Sequence, residues 1–147
     1  MIAHTGRPPP VGAARAGERP FDSRAAAWLA QGRREGCRVR IEHVPFGVAA
    51  WDTVPRTEHP GETGVAYWRT IETGNIRVRM VEYSPEYLAD HWCSRGHVLL
   101  VLAGELVTEL KDGRSFTLPP GQSYQVADDE EPHRSRTSGG ATLFIVD

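Results

Sequence analysis

Short β-rich runs separated by turn residues fill the sequence from residue 41 onward, and no other feature limits the fold as strongly. The run 76–83 alternates apolar and polar residues in its first half, as a half-buried strand does. The pair Asp112-Gly113 is a strong signal for a hairpin turn. The predicted strands are 65–71, 76–83, 97–103, 105–110, 115–118, 123–126 and 142–146. Because no convincing helix interrupts them, the pattern indicates an all-β sandwich or small barrel.

The length and composition set broader bounds. The chain has 147 residues, which suits one domain with a fair-sized core. No apolar run approaches the roughly 18–20 residues of a membrane span, and no secretory signal is visible. The two cysteines, Cys37 and Cys93, do not make a disulfide framework. We therefore expect a cytoplasmic protein with reduced thiols and no membrane partner.

Residues 1–40 differ in composition from the rest of the chain. They hold eight arginines and three acidic residues, a net charge of +5, whereas residues 41–147 have a net charge of −7. A basic arm can bind nucleic acid, but this one lacks lysine and amphipathic order, so we expect no nucleic-acid partner. Its Pro- and Gly-rich composition predicts disorder, except at 22–31, which has the signals of a short helix. The predicted division is an extension, 1–40, and one domain, 41–147.

The candidate chemistry is concentrated in one short window. His91 and Cys93 are two residues apart, so on a strand both would point to the same face. His97 follows at the start of the next predicted strand. Imidazole and thiolate groups clustered in this way bind borderline or soft transition metals. The alternative interpretation is a satisfied histidine beside a small buried thiol.

Residues 41–147 resemble a cupin, a small jelly-roll β-barrel. The first cupin signature contains two histidines separated by one residue. Three residues then precede a glutamate, and six more precede a glycine. The same spacing occurs here at His91, Cys93, His97 and Gly104, with cysteine for the second histidine and histidine for the glutamate. The tetrapeptide DHCW, which contains the first two of these positions, is similar to the motif of a small bacterial cupin group. No established activity comes with that resemblance.

The second cupin signature fits the sequence in two registers. One begins at Gly113 and puts Tyr124 at the histidine position, but it leaves only eight residues between the signatures. The other begins at Gly121 and ends at His133, and it needs one extra residue. It leaves sixteen residues, enough for a hairpin, so we favour it. Thr137 then replaces the usual asparagine of the signature.

The resemblance implies a metal held by His91, Cys93, His97 and His133. Three imidazoles and one thiolate suit tetrahedral Zn²⁺, with Cu, Fe, Ni and Mn as alternatives. The expected function is metal-dependent action on, or sensing of, a small polar molecule in the barrel mouth. A metal-free module that binds a small ligand is the alternative. The two substitutions change ligand softness and site charge, so no activity of three-histidine, one-glutamate cupins carries over. The sequence is compatible with a homodimer.

Three further expectations concern residues outside the signatures. Arg77 and Arg79 are expected to face outward, because the apolar residues of their strand alternate with them. Trp68 and Tyr124 are expected in the core, with Tyr124 also an outside candidate for the site. His59 is expected in a surface loop beside Pro60.

Overall fold

The computed structural model describes residues 39–147. The predictions made for residues 1–38, including the helix at 22–31 and the free thiol of Cys37, lie outside the described residues. The described part contains nine strands and no helix, and thus no helix able to cross a membrane. The strands are β1 (Arg56–Pro60), β2 (Val65–Thr73), β3 (Ile76–Tyr83), β4 (His97–Gly104), β5 (Leu106–Leu110), β6 (Ser115–Leu118), β7 (Ser123–Val126), β8 (His133–Arg136) and β9 (Ala141–Val146).

The strands form two antiparallel sheets. The larger sheet has the order β1-β2-β3-β9-β4-β7, and the smaller one has the order β6-β5-β8. In the larger sheet β9, the last strand in the sequence, lies between β3 and β4, so the connections cross between sheets as in a jelly roll. The all-β jelly-roll prediction is thereby confirmed. All seven predicted strands are present, and their ends differ from the prediction by no more than two residues.

Two strands, β1 and β8, were not predicted from the sequence. Their sequences, RTEHP and HRSR, contain almost no apolar residue, so hydrophobic alternation cannot reveal them. Each strand pairs with a more apolar neighbour: β1 with β2 and β8 with β5. Backbone pairing with that neighbour, rather than their own side chains, defines them as strands.

The core is formed by inward-facing aliphatic residues from both sheets. β9 shows the pattern most clearly, because Ala141, Leu143 and Ile145 are buried while the residues between them are only partly covered. Successive side chains of a strand point to opposite faces, so one residue in two reaches the interior. The other core residues are Val81, Leu99, Val101, Leu106 and Leu118.

Gly104 allows the chain to pass from the larger sheet into the smaller one. Its φ is +73°, a conformation that favours glycine, and an added Cβ would lie 2.1 Å from the carbonyl oxygen of Gly140. The glycine of the first signature therefore has a backbone role at this crossing.

At the next turn the Leu110 backbone amide donates to the Arg114 carbonyl at 2.8 Å, which closes the hairpin predicted at Asp112-Gly113.

Candidate metal centre

Three elements bring the candidate ligands together. His97 is the first residue of β4, and His133 is the first residue of β8. Cys93 lies in the loop before β4, and its backbone pairs with that of His133. The Cys93 amide donates to the His133 carbonyl at 2.7 Å, and the His133 amide donates to the Cys93 carbonyl at 3.0 Å. This pairing holds the loop against the small sheet and places the thiol beside the imidazole.

Cys93, His97 and His133 form a compact group of possible ligand atoms. One atom from each residue, the sulfur or a ring nitrogen, lies within 4.8 Å of the others. The two imidazole rings meet edge to face, with their centroids 4.9 Å apart. Zinc in proteins lies about 2.0–2.3 Å from such atoms, so ligand atoms up to 4.8 Å apart would have to move closer for all three to reach one ion.

The hydrogen bonds of the two histidines leave one ring nitrogen of each directed at this group. The Nδ1 of His133 lies 2.9 Å from the carbonyl oxygen of Glu131, which can only accept, so Nδ1 carries the proton. The Nε2 of His97 lies 2.8 Å from the Tyr124 hydroxyl. The remaining nitrogens, Nε2 of His133 and Nδ1 of His97, are buried and have no hydrogen-bond partner. A metal-binding histidine has this arrangement, with one nitrogen held by a protein group and the other free to coordinate.

The electrostatics favour the ligand forms of Cys93 and His97. Interaction with the neighbouring His133 ring lowers the pKa of Cys93 despite partial burial, which favours the thiolate. Burial, followed by the charges of His133 and Arg79, lowers the pKa of His97 to about 4, so its ring is neutral at pH 7. Burial opposes the charged form of His133, but the interactions with Cys93 and with Glu131 together outweigh it and raise the pKa of His133. Thiolate and neutral imidazole are the forms that bind metal.

His91 is near the group but is not part of it. The side chain of His91 is 70% exposed, and its Nδ1 lies 2.6 Å from a carboxylate oxygen of Asp90. The expectation that His91 and Cys93 share one face rested on a strand, whereas His91 lies in a bend before the isolated bridge at Cys93. The strict alternation of a strand therefore does not apply there. His91 still lines the same cavity as the other three residues.

The cavity beside the group has a volume of about 90 Å³. Its wall combines the three candidate ligands with aromatic residues and two arginines, Arg79 and Arg134. Trp68, Arg79 and Tyr124 are among the residues of this wall. A cavity of this size, lined largely by apolar surface and next to a ligand group, is suited to a small molecule rather than to a polymer.

The structure overturns the expectation that Arg79 faces outward. Arg79 is 7% exposed and lines the cavity, and its neighbour on the same face of β3 is the buried core residue Val81. Asp147 offsets the desolvation cost of the buried guanidinium, because its carboxylate accepts a hydrogen bond from Nη2 of Arg79 at 2.7 Å. Asp147 also pairs with Arg77, through Nε at 2.9 Å and Nη2 at 2.6 Å. No sequence pattern indicated this partner, which lies 68 residues from Arg79.

His59 is also placed differently from the prediction. It belongs to β1 and is partly buried, and its ring stacks on Trp68 with the centroids 3.9 Å apart. The guanidinium of Arg79 lies over the Trp68 ring at 4.7 Å. His59 and Arg79 thus both contact Trp68 at the cavity wall. Trp68 is partly buried there and packs against the core.

No protein-family model and no curated protein sequence matches this chain. Solved structures with a similar fold include the hydroxypropylphosphonic acid epoxidase from S. wedmorenis, with 18% identity and a TM-score of 0.55 over 69% of this chain and 59% of that one. The ectoine synthase from P. lautus has 14% identity and a TM-score of 0.57 over 69% of this chain and 76% of that one. The chain therefore spans less than two thirds of the epoxidase. These neighbours are cupin-fold proteins, and the cupin resemblance of the sequence is confirmed at the level of the fold.

Proposed function

We propose that this cupin-fold protein binds a divalent transition metal through Cys93, His97 and His133, and that it acts on or senses a small polar molecule in the adjoining cavity. The observation that carries the proposal is the pair of buried ring nitrogens without a hydrogen-bond partner, both beside the Cys93 thiol. Buried polar atoms are almost always satisfied in native proteins. An ion bound to both nitrogens and the sulfur would satisfy all three atoms at once.

The donor set favours zinc. Cysteine thiolates and histidine imidazoles are the donors that zinc prefers in proteins. Zinc can expand to five ligands, so water or substrate would still have a position if a fourth side chain binds. The same donor set accepts Cu, Ni or Fe, and it accepts Mn least readily. Another solved structure with a similar fold is that of FeII HppE, so the metal analysis includes iron. When bound, the ion would supply Lewis-acid or redox chemistry at the cavity.

We assign His91 the fourth ligand position, as the cupin resemblance implies. Its place on the cavity wall supports this assignment, while its exposed contact with Asp90 makes it the weakest member of the set. Coordination by His91 would require its ring to turn from Asp90 toward the group. We therefore expect removal of His91 to reduce metal affinity less than removal of His133 or Cys93.

The test is the metal content of the full chain, purified without a histidine tag. We expect close to one equivalent of Zn, Cu, Fe, Ni or Mn by elemental analysis. His133→Ala and Cys93→Ala should lose most of it, and His91→Ala should lose less. His43→Ala is the matched control, because His43 is exposed and lies outside the cavity. Thermal unfolding of each variant shows whether it is folded.

Alkylation of Cys93 gives a second readout that does not depend on metal surviving purification. In a Cys37→Ser background, Cys93 should react slowly after metal is added and quickly once a chelator removes it. Equal alkylation rates with and without metal, together with unchanged metal content in His133→Ala and Cys93→Ala, would refute the ligand set. Folded wild-type protein that takes up none of the five metals would favour the metal-free ligand-binding module.

A further inference from the structure

Two more buried nitrogen atoms at the cavity have no hydrogen-bond partner. They are Nε of Arg79 and Nε1 of Trp68, and both residues line the same 90 Å³ cavity as the candidate metal ligands. Both atoms are donors only, because neither guanidinium nor indole nitrogen accepts a hydrogen bond. Two residues of the cavity wall therefore carry unsatisfied N–H groups, in addition to the unsatisfied ligand atoms.

The surroundings of Arg79 keep its guanidinium in place without satisfying it. Asp147 binds one terminal nitrogen, and the face of the guanidinium lies over Trp68 at 4.7 Å. The Asp147 carboxylate is shared with Arg77, which takes both of its oxygens. Arg79 therefore keeps a free N–H group at Nε, and the Asp147 carboxylate is bound mainly by Arg77. A buried guanidinium gains from an acceptor that carries negative charge.

The size of the cavity limits what such an acceptor can be. Water occupies about 30 Å³ per molecule in the liquid, so 90 Å³ corresponds to only a few non-hydrogen atoms besides a metal ion. A carboxylate presents two acceptor oxygens and can accept one hydrogen bond from each of these N–H groups. A molecule such as glycolate has a carboxylate for one end of the cavity and an oxygen for the other.

We infer that Arg79 and Trp68 form a carboxylate-binding site, and that the natural ligand is a small monocarboxylic acid of two or three carbons. The carboxylate accepts hydrogen bonds from Nε of Arg79 and Nε1 of Trp68, and the other end of the molecule points toward Cys93, His97 and His133. Only this second contact rests on the proposed metal-binding function. The carboxylate site itself uses no metal ligand.

Binding of glycolate and acetate to the full chain tests the inference, with acetamide and inorganic phosphate as competing probes. Affinities are measured by titration calorimetry or by amide chemical shifts, and the metal content of each sample is determined in parallel. We expect acetate to bind better than acetamide, and glycolate better than phosphate. Arg79→Gln should weaken glycolate binding about 10–100-fold, the usual effect of losing a hydrogen bond to a charged group.

Trp68→Phe keeps an aromatic ring but removes the N–H together with part of the indole, so it should weaken glycolate binding several-fold. Arg79→Lys keeps the charge but loses the planar N–H edge, and it should lie between wild type and Arg79→Gln. If Arg79→Gln does not fold, these two variants decide. Arg56→Gln is the matched control, because Arg56 also lies over an aromatic ring, Tyr67 at 4.0 Å, but outside the cavity.

The outcomes separate this inference from the metal proposal. Glycolate binding that depends on Arg79 in protein without metal would support the carboxylate site while the metal proposal fails. Normal metal content with glycolate binding unchanged in Arg79→Gln and Trp68→Phe would overturn the carboxylate site and leave the metal proposal intact. Acetamide binding as well as acetate, or phosphate binding better than glycolate, would also overturn it.

Discussion

At the residue scale, the Tyr124 hydroxyl orients the imidazole ring of His97. The hydroxyl of Tyr124, on β7, lies 2.8 Å from Nε2 of His97, on the adjacent strand β4. Burial raises the pKa of Tyr124, so the phenol stays protonated. The bond leaves Nδ1 of His97 as the ring atom beside Cys93 and His133. Tyr124 is thus a positioning residue rather than a ligand, although the rejected signature register had put it at the histidine position.

We predict that Tyr124→Phe lowers metal affinity about 10–100-fold without unfolding the protein, because partners of metal-binding histidines have effects of this size. Competition with a chelator of known affinity measures the change. Tyr67→Phe is the control, since Tyr67 lies on β2 away from the cavity. An unchanged affinity in Tyr124→Phe would show that the hydrogen bond does not orient the His97 ring.

At the scale of elements, an ion-pair network joins β5 to β8, the strand that carries His133. The carboxylate of Glu109 accepts hydrogen bonds from Nε of Arg136 at 2.7 Å and from Nε of Arg134 at 3.0 Å. The two arginines are polar residues of a strand with no aliphatic side chain, so this network compensates for its weak hydrophobic contribution. The bonds from Arg136 and Arg134 lower the pKa of Glu109.

This network predicts a specific loss of stability in acid. The pKa of Glu109 is lower in the folded chain than in the unfolded one, so its contribution is present above the unfolded value, about 4.3. It is lost as pH falls through the folded value. We expect Glu109→Gln to lower the free energy of unfolding at pH 7 by about 1 kcal/mol or less, because the network is partly exposed.

Urea unfolding of wild type and Glu109→Gln at several pH values measures this effect. The difference between the two proteins should shrink as pH falls below about 4. Glu105→Gln is the control, because Glu105 is exposed and the described residues offer it no ion-pair partner. A difference that stays constant down to pH 2 would mean that Glu109 stabilises the strands by packing instead.

At the scale of the whole molecule, the two sheets of the described part contain the core and the candidate site. Asn75 also ties the start of the described chain to the β2–β3 turn. Its side chain donates to the Arg40 carbonyl at 2.7 Å and accepts from the Glu42 amide at 2.7 Å. A truncation that tests the N-terminal extension should therefore keep residues 39–42.

We predict that deletion of residues 1–38 changes the melting temperature by no more than a few degrees, because their composition cannot build a core. Differential scanning calorimetry of the full chain and the truncated chain measures the change. Asn75→Ala in the truncated chain is the comparison that removes the contacts of Arg40 and Glu42. A fall of about 10 °C, which is well over 1 kcal/mol for a domain of this size, would show that the extension stabilises the domain.

Local patterns determined the fold class. Alternation and turn pairs are properties of neighbouring residues, so strands such as β3 and the hairpin at Asp112-Gly113 were predictable one at a time. The spacing from His91 to Gly104 then indicated a cupin, which the fold confirms. Such patterns cannot reveal β1 and β8, because those strands exist through backbone pairing with distant partners.

Tertiary structure alone decided which polar side chains meet at the cavity. His133 reaches Cys93 through backbone pairing across 40 residues of sequence, while His91, two residues from Cys93, is exposed. Arg79 is buried because Asp147, at the end of the described chain, offsets its charge. The physical reason is the same in each case. Burial of a polar group depends on a partner brought close by the fold, and sequence spacing contains no information about that partner.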